Sequence, residues 1–389
     1  MVKLNRNLEN ILPYWGAQLE QLVAKLKEEG KDIIPLGIGD PDLPTPQPIV
    51  EAKIKELKER YYGYPTSKGR KDLRETLARY YGQRFGVGLS PDNFTIAMGA
   101  KNDLFDISRV FSNPGETVLI PEPAYPPYVN GATIDGCKIV YLPCTKENNF
   151  EPELSLIKGL EKVAILYLCN PNNPTGTTLK RSTLMRFVEL AREYGFLILH
   201  DIAYSDFVPG GKPFVPNPVT PSIFELPGAD EVALEVGSFS KPFSMTGIRL
   251  SWAVSKGEIN ETWTRYRTNR DSGVSEYFQR GGLVAFSPET FEIVERNMEI
   301  YGQRAKILES GFREMGLECN PITNTPYAWV KCPEGFSSES FIEKMLNEAH
   351  VVLTAGNNFG PSGEGYFRAT IFQPKERLEK AIQRMKQVI

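Results

Sequence analysis

Between residues 94 and 254 the chain alternates short apolar runs with stretches whose apolar residues recur every three or four positions. The apolar runs are Phe94–Met98, Thr117–Ile120, Lys138–Leu142, Val163–Leu168, Phe196–His200, Val232–Gly237 and Leu250–Val254. Each is of strand length and nearly continuous rather than alternating, as expected of strands covered on both faces. Leu184, Phe187, Val188 and Ala191 fall at i, i+3, i+4 and i+7, one face of a helix, and Leu73, Leu77, Tyr80 and Tyr81 form a similar stripe. The pattern predicts an α/β fold in which a mostly parallel sheet is sandwiched by helices. The C-terminal third reads differently. A long helical stretch follows Pro288, then strand-like Tyr327–Lys331 and Val351–Thr354, then a helix aligning Leu378, Ala381, Ile382 and Met385. We therefore expect a large domain over 48–285 and a smaller α+β domain built from 1–47 and 286–389.

Composition narrows the function classes. A chain of 389 residues is long for one core and comfortable for two. A net charge of -3 gives no reason to expect nucleic acid or an anionic membrane as partner. The opening MVKLNRNLENILPYWG has no apolar leader core, and no run approaches the about 20 apolar residues of a membrane span. Cys137, Cys144, Cys169, Cys319 and Cys332 are odd in number and scattered, which reads as reduced thiols in a cytoplasmic enzyme. With only His200 and His350, neither a histidine-rich metal site nor an imidazole-based triad is expected.

Open α/β sheets bind ligands outside the carboxyl ends of their strands. The loops of unusual composition lie there: Gly99-Ala100-Lys101, Pro121–Tyr125, Asn170–Gly176, Asp201–Tyr204 and Ser238–Lys241. The chain has no G-x-G-x-x-G opening a helix, no P-loop and no G-x-S-x-G. What remains is Lys241 on a loop of small residues, Ser238-Phe239-Ser240-Lys241, with Gly247 and Arg249 beyond it. Two hydroxyls and a guanidinium make a plausible phosphate cradle. Taken singly, such a lysine is most often solvent-exposed, and Asp201 would be a helix cap or a surface carboxylate. The order Asn173-Pro174-Thr175-Gly176, Asp201-Ile202-Ala203-Tyr204, Ser238-Phe239-Ser240-Lys241 and Arg249 is what gives these residues joint meaning.

That series resembles the class I/II aminotransferase family of fold-type I pyridoxal 5'-phosphate (PLP) enzymes, over essentially the whole chain. Phe367-Arg368-Ala369-Thr370 and the stretch Leu36–Pro46 resemble two further signatures of the family. The resemblance implies PLP as cofactor, with Lys241 its Schiff-base lysine and proton shuttle. By the same token Asp201 pairs with the pyridine nitrogen, Asn173 and Tyr204 face the phenolic oxygen, and Tyr125 stacks on the ring. Ala100 and Lys101 (through their backbone), Ser238, Ser240 and Arg249 hold the phosphate. Tyr64 reaches it from the neighbouring subunit, which implies a homodimer with shared sites. Arg368 clamps the substrate α-carboxylate beside Asn173 and the Gly39 backbone. Ala100 stands where many relatives carry serine, so one phosphate hydroxyl is missing.

The partners so implied are an amino acid and a 2-oxo acid. Within the family, LGIGDPDLPTPQPIVEA, HDIAYSD, SMTGIRL and RDSG are most similar to the enzymes acting on LL-diaminopimelate with 2-oxoglutarate in lysine biosynthesis. Aspartate, alanine and aromatic aminotransferases share most of the pattern, and a PLP-dependent β-lyase would use the same cofactor residues. A cofactor-binding regulator would need an added nucleic-acid-binding segment, for which residues 1–47 are short and not basic. For the far end of the substrate, Asp271 or Asn269 of the neighbouring subunit is expected to meet the distal ammonium, and Lys101 or a nearby arginine the distal carboxylate. The competing expectation is that Asp271 only caps a turn with Gly273.

Overall fold

The seven apolar runs do pair into one sheet. In chain order the strands are Ile34–Pro35 (β1), Phe94–Ala97 (β2), Thr117–Glu122 (β3), Lys138–Pro143 (β4), Val163–Cys169 (β5), Leu197–Asp201 (β6), Ala233–Ser238 (β7) and Ser251–Ser255 (β8), followed by Tyr327–Lys331 (β9), Val351–Val352 (β10), Thr354–Ala355 (β11) and Tyr366–Thr370 (β12). The seven-stranded sheet has the order β2-β8-β7-β6-β5-β3-β4. Only β8 runs against the others: β2 and β7 both pair with it antiparallel, and the remaining pairings are parallel. The computed structural model describes residues 2, 3, 5–11, 15–59, 63–153, 159–216 and 218–389.

Helices cover both faces, which is why β5, β6 and β7 are apolar nearly throughout. On one side the helix Arg181–Tyr194 buries Leu184, Phe187, Val188 and Ala191, the predicted stripe. It ends at Gly195, whose positive φ of 77° lets its N–H close back onto Ala191. Leu73, Leu77, Tyr80 and Tyr81 are likewise buried on the helix Lys71–Phe85. Two polar exceptions within the strands pair with each other. His200 Nδ1 lies 2.8 Å from Glu235 Oε2, and Glu235 also accepts from Tyr81 Oη at 2.7 Å and the Ile223 amide at 2.8 Å. The two residues are register partners in β6 and β7, so the pair closes within the sheet. His200 is thus used structurally.

The C-terminal third opens with the helix Pro288–Glu314, started by Ser287 accepting from the Thr290 amide with proline in the first turn. It ends in the helix Lys375–Lys386, which buries Leu378, Ala381, Ile382 and Met385. The predicted strand Val351–Thr354 is corrected: it is two strands in two different sheets. β10 pairs parallel with β1, and β11 pairs antiparallel with β12, which also pairs with β9. An apolar run carries no record of which partner each residue will meet, so the change of sheet at Leu353 left no mark in the pattern. Among the described residues no helix is long and apolar enough to cross a membrane.

Candidate active site

Topology brings the predicted loops to one edge. Cys169, Asp201 and Val236 lie at the same level of β5, β6 and β7, because Cys169 pairs with Asp201 and Asp201 with Val236. Strand β8 runs the other way and starts opposite Ser238, so Arg249, just before it, arrives at the same edge. Strand β2 leads through Gly99 into the helix Ala100–Phe111, again at that edge. The result is a cleft of about 440 Å³. Gly39, Ala100, Lys101, Tyr125, Asn173, Asp201, Tyr204, Ser238, Ser240, Lys241, Arg249 and Arg368 all line it. Every candidate for the cofactor and the α-carboxylate except Tyr64 is brought together within one chain.

Asp201 forms the deepest acidic group. Its Oδ2 accepts from the Tyr128 hydroxyl at 2.6 Å and its Oδ1 from the Ala203 amide at 3.0 Å. Burial pushes its carboxyl above the usual range, while Tyr128, the Ala203 amide and His200 pull it back. A ligand nitrogen bearing a proton would supply the countercharge that this buried carboxylate lacks. The Lys241 ammonium donates to the Gly39 carbonyl and lies 5.9 Å from the Phe372 ring centre.

One end of the cleft is built for an anion. Gly99, with a φ of 81°, caps the helix Ala100–Phe111 without any side-chain cap. A Cβ there would come within 2.4 Å of Arg249 Nη2, so only glycine lets the guanidinium approach this helix start. The first N–H groups of the helix, its dipole, Arg249, Ser238 and Ser240 fit a phosphate. Lys101 stands in the same field. Burial and then Arg249 lower its ammonium's pKa, and Glu20 acts in the opposite sense.

The other end carries Arg368. Its Nη1 donates to Asn173 Oδ1 at 2.8 Å and its Nη2 to the Gly37 carbonyl at 3.1 Å. The guanidinium lies 4.1 Å from the Tyr327 ring centre and 4.8 Å from that of Phe359, so aromatic faces hold its plane. Gly37 is thus the backbone group that touches Arg368, while the Gly39 carbonyl faces Lys241.

Several lining residues escaped the sequence reading. Tyr128 follows Tyr125 by one helical turn, a spacing that could have revealed it. Tyr327 left no such signal, because its place depends on the antiparallel register of β9 and β12, where Arg368 faces Trp329. The Tyr327 and Tyr204 hydroxyls are 3.1 Å apart. Burial opposes ionisation of Tyr327, yet Lys241, Arg368 and the bond to Tyr204 together draw its phenol below the ordinary value, while burial raises Tyr204. A Cβ on Gly39 would lie 2.5 Å from the Tyr327 hydroxyl, so this glycine is required by close approach. Trp15, Leu19 and Glu20, from a helix far away in sequence, also line the cleft.

Tyr64 stands outside the cleft and is 87% exposed. Two residues further on, the chain packs on Gly273, where a Cβ would come within 2.6 Å of the Thr66 carbonyl oxygen. Asp271 is engaged within its own chain. Its Oδ1 accepts from the Gly273 amide at 2.9 Å, and its Oδ2 pairs with Arg267 at 3.1 Å and Arg270 at 3.4 Å. Arg267 is held between Asp271 and Asp103, and Arg270 by Asp106, so the two arginines nearest this turn already have carboxylate partners. The turn-capping alternative for Asp271 is the one this geometry matches.

A mostly parallel sheet with a lysine, a buried aspartate and a phosphate cradle at one strand edge defines a PLP-dependent transferase. The chain belongs to the class I and II aminotransferases, whose family description matches residues 31–385. It is 39% identical over 392 residues to the LL-diaminopimelate aminotransferase of Aquifex aeolicus, covering 99% of each chain. The LL-diaminopimelate aminotransferase of Halothermothrix orenii is 36% identical over 384 residues, or 97% of each chain. Among solved structures, the L,L-diaminopimelate aminotransferase of Chlamydomonas reinhardtii matches with a TM-score of 0.89 at 32% identity, covering 99% of this chain and 98% of that one. PLP is the cofactor of this family, and the donor set described above fits it: a carboxylate, a lysine and an anion cradle with the glycine it needs.

Proposed function

We propose that this aminotransferase takes its amino group from LL-2,6-diaminopimelate and passes it to 2-oxoglutarate, with Lys241 as the lysine that holds PLP. The full-length similarity to enzymes named for that substrate is the observation that carries the donor assignment. The convergence of Lys241, Asp201 and Arg368 on one cleft supports the residue roles.

Bound PLP supplies an electron sink for the charge left when the substrate α-proton departs. Every other task falls to the chain. Lys241 Nζ, steered by the Gly39 carbonyl, takes the α-proton and returns it to the cofactor side. Asp201, oriented by Tyr128 and the Ala203 amide, holds a proton on the ring nitrogen. Asn173 and Tyr204 would serve the phenolic oxygen and Tyr125 the ring, while Ala100, Lys101, Ser238, Ser240 and Arg249 would hold the phosphate. Arg368 offers two parallel donors to the α-carboxylate, with its plane set in advance by Tyr327 and Phe359.

The working unit is a cytoplasmic homodimer in which Tyr64 completes the partner's cleft. Its exposure, two residues before the Thr66 carbonyl that packs on Gly273, supports a shared face. Mixing inactive Tyr64 and Lys241 variants should restore part of the activity in hybrid dimers, and no recovery despite subunit exchange would remove Tyr64 from this role. The domain division at 48–285 is proposed on the same footing, with β1 joining the C-terminal portion through β10. For the substrate, kcat/KM should be compared for LL- and meso-diaminopimelate, aspartate, alanine and tyrosine. Efficient use of aspartate or tyrosine without turnover of the LL isomer would make this a general aminotransferase and leave the Lys241 assignment intact.

A further inference from the structure

The far end of the cleft must serve two unlike molecules. 2-Oxoglutarate ends in a carboxylate alone, whereas LL-diaminopimelate ends in a carboxylate and an ammonium on one carbon. The helix Trp15–Glu28 supplies part of the cleft wall. Leu19 packs against Gly37, where an added Cβ would lie 2.7 Å from Leu19 Cδ2. Leu19, Val23 and Leu26, with Ile33 and Val352, form a small apolar cluster that fixes the rotation of this helix. With that stripe anchored, Gly16, Leu19 and Glu20, at i, i+3 and i+4, line the cleft.

Three carboxylates line the cleft: Asp40, Asp201 and Glu20. Asp40 accepts from the Thr246 hydroxyl at 2.6 Å, and Asp201 is held by Tyr128 and the Ala203 amide. Glu20 is exposed and, among the described residues, makes no hydrogen bond or ion pair. Glu20 and Lys101 line the same cleft, and the Glu20 carboxylate favours the charged form of Lys101. The partner-loop carboxylate expected for the distal ammonium, Asp271, is already bound to Gly273, Arg267 and Arg270.

We infer that Glu20, from the same chain as Lys241, is the specificity-determining acceptor for the substrate's distal ammonium, with Lys101 of the same cleft meeting the distal carboxylate. This deepens the proposed function and rests on it. The pair presents one negative and one positive group to a zwitterionic end, while 2-oxoglutarate needs only Lys101. Glu20 then contributes to donor selection and slightly disfavours a donor ending in a carboxylate alone.

The test is a two-by-two comparison of wild type and Glu20→Gln with LL-diaminopimelate and L-2-aminopimelate, the same carbon chain without the distal amine. Glu20→Gln should lower the kcat/KM ratio of the first to the second by about tenfold, through KM, because a charged hydrogen bond at a partly open site is lost. Turnover of L-2-aminopimelate should be unchanged or improved, and pimelate, a dicarboxylate with no amine, should inhibit at least as tightly. Glu20→Asp should recover part of the ratio. Melting temperature and cofactor absorbance should match wild type in both variants. An unchanged ratio in an enzyme whose wild type turns over LL-diaminopimelate overturns the role of Glu20 alone. A wild type that does not turn over LL-diaminopimelate overturns the substrate assignment, and Glu20's role with it.

Discussion

The floor of the cleft and its rim are made in different ways. Floor groups (Asp201, Asn173, Ser238, Lys241 and Arg249) sit within a few residues of adjacent strand ends, so the hydrogen-bond register of β5 to β8 aligns them. Rim groups come from segments brought in over long distances: Arg368 bonds across 195 residues to Asn173, and the helix Trp15–Glu28 docks beside Gly37. The floor is also the more enclosed. Asp201 and Asn173, next to the reacting bond, are buried, while Arg249 at the phosphate end, Glu20 and Tyr64 are open to solvent; Arg368 is the buried exception on the rim. An interaction in the enclosed region is undiluted by water and acts on the bond being broken, so the floor should govern kcat and the rim the choice of substrate.

If that division holds, substitutions should separate by effect. Lys241→Ala removes the proton carrier and should cost about 10⁴-fold in the half-reaction. Borohydride treatment of the wild type should fix cofactor mass to the peptide bearing Lys241; mass on another peptide would end the assignment. Asp201→Asn should still bind PLP yet slow the half-reaction by about 10³-fold, with Asp201→Glu losing less. A near-wild-type rate for the Asn variant would mean the floor does not hold the ring proton. At the border between the regions, Arg368→Lys keeps the charge but loses the paired donors. It should lower kcat/KM by about thirtyfold, or about 2 kcal/mol, mostly through KM; an effect confined to kcat would move Arg368 into the floor's class.

The smallest predicted effect concerns pH. Burial raises the Asp201 carboxyl above the usual range and the Tyr128 hydroxyl works against that shift. Tyr128→Phe takes the donor away, so the carboxylate is protonated at higher pH and the acid limb of kcat/KM should move upward. The rate at neutral pH should fall by about tenfold or less. Measuring the full profile separates this from a loss of packing, which would lower the rate at every pH alike.

The same contrast explains what could be read from the chain. The seven strands of the large sheet and the loops after them follow from apolar continuity and strand-end chemistry, so Lys241, Asp201 and Asn173 were legible. The rim depends on pairings that periodicity does not encode. Tyr327 reaches Arg368 only through the register of β9 with β12, and Glu20 faces the cleft only because Leu19 seats against Gly37. Asp271 shows the opposite hazard: a carboxylate in a suggestive position is engaged by its own turn and two neighbouring arginines. Local chemistry proposes, and the long-range contacts assign.

The split of the run after His350 between two sheets sets an order on how the enzyme can be made. Val351–Val352 is the pairing partner of Ile34–Pro35, and Thr354–Ala355 that of the strand carrying Arg368. Until the ribosome has released these last segments, the N-terminal stretch with Gly37 and Gly39 has no strand to dock on, and the Arg368–Gly37 bond spans 331 residues. The floor, by contrast, is complete in sequence once β8 has emerged. A nascent chain can therefore form the cofactor's bed well before it can close on an amino acid, and chains ending short of residue 351 should stop at that stage.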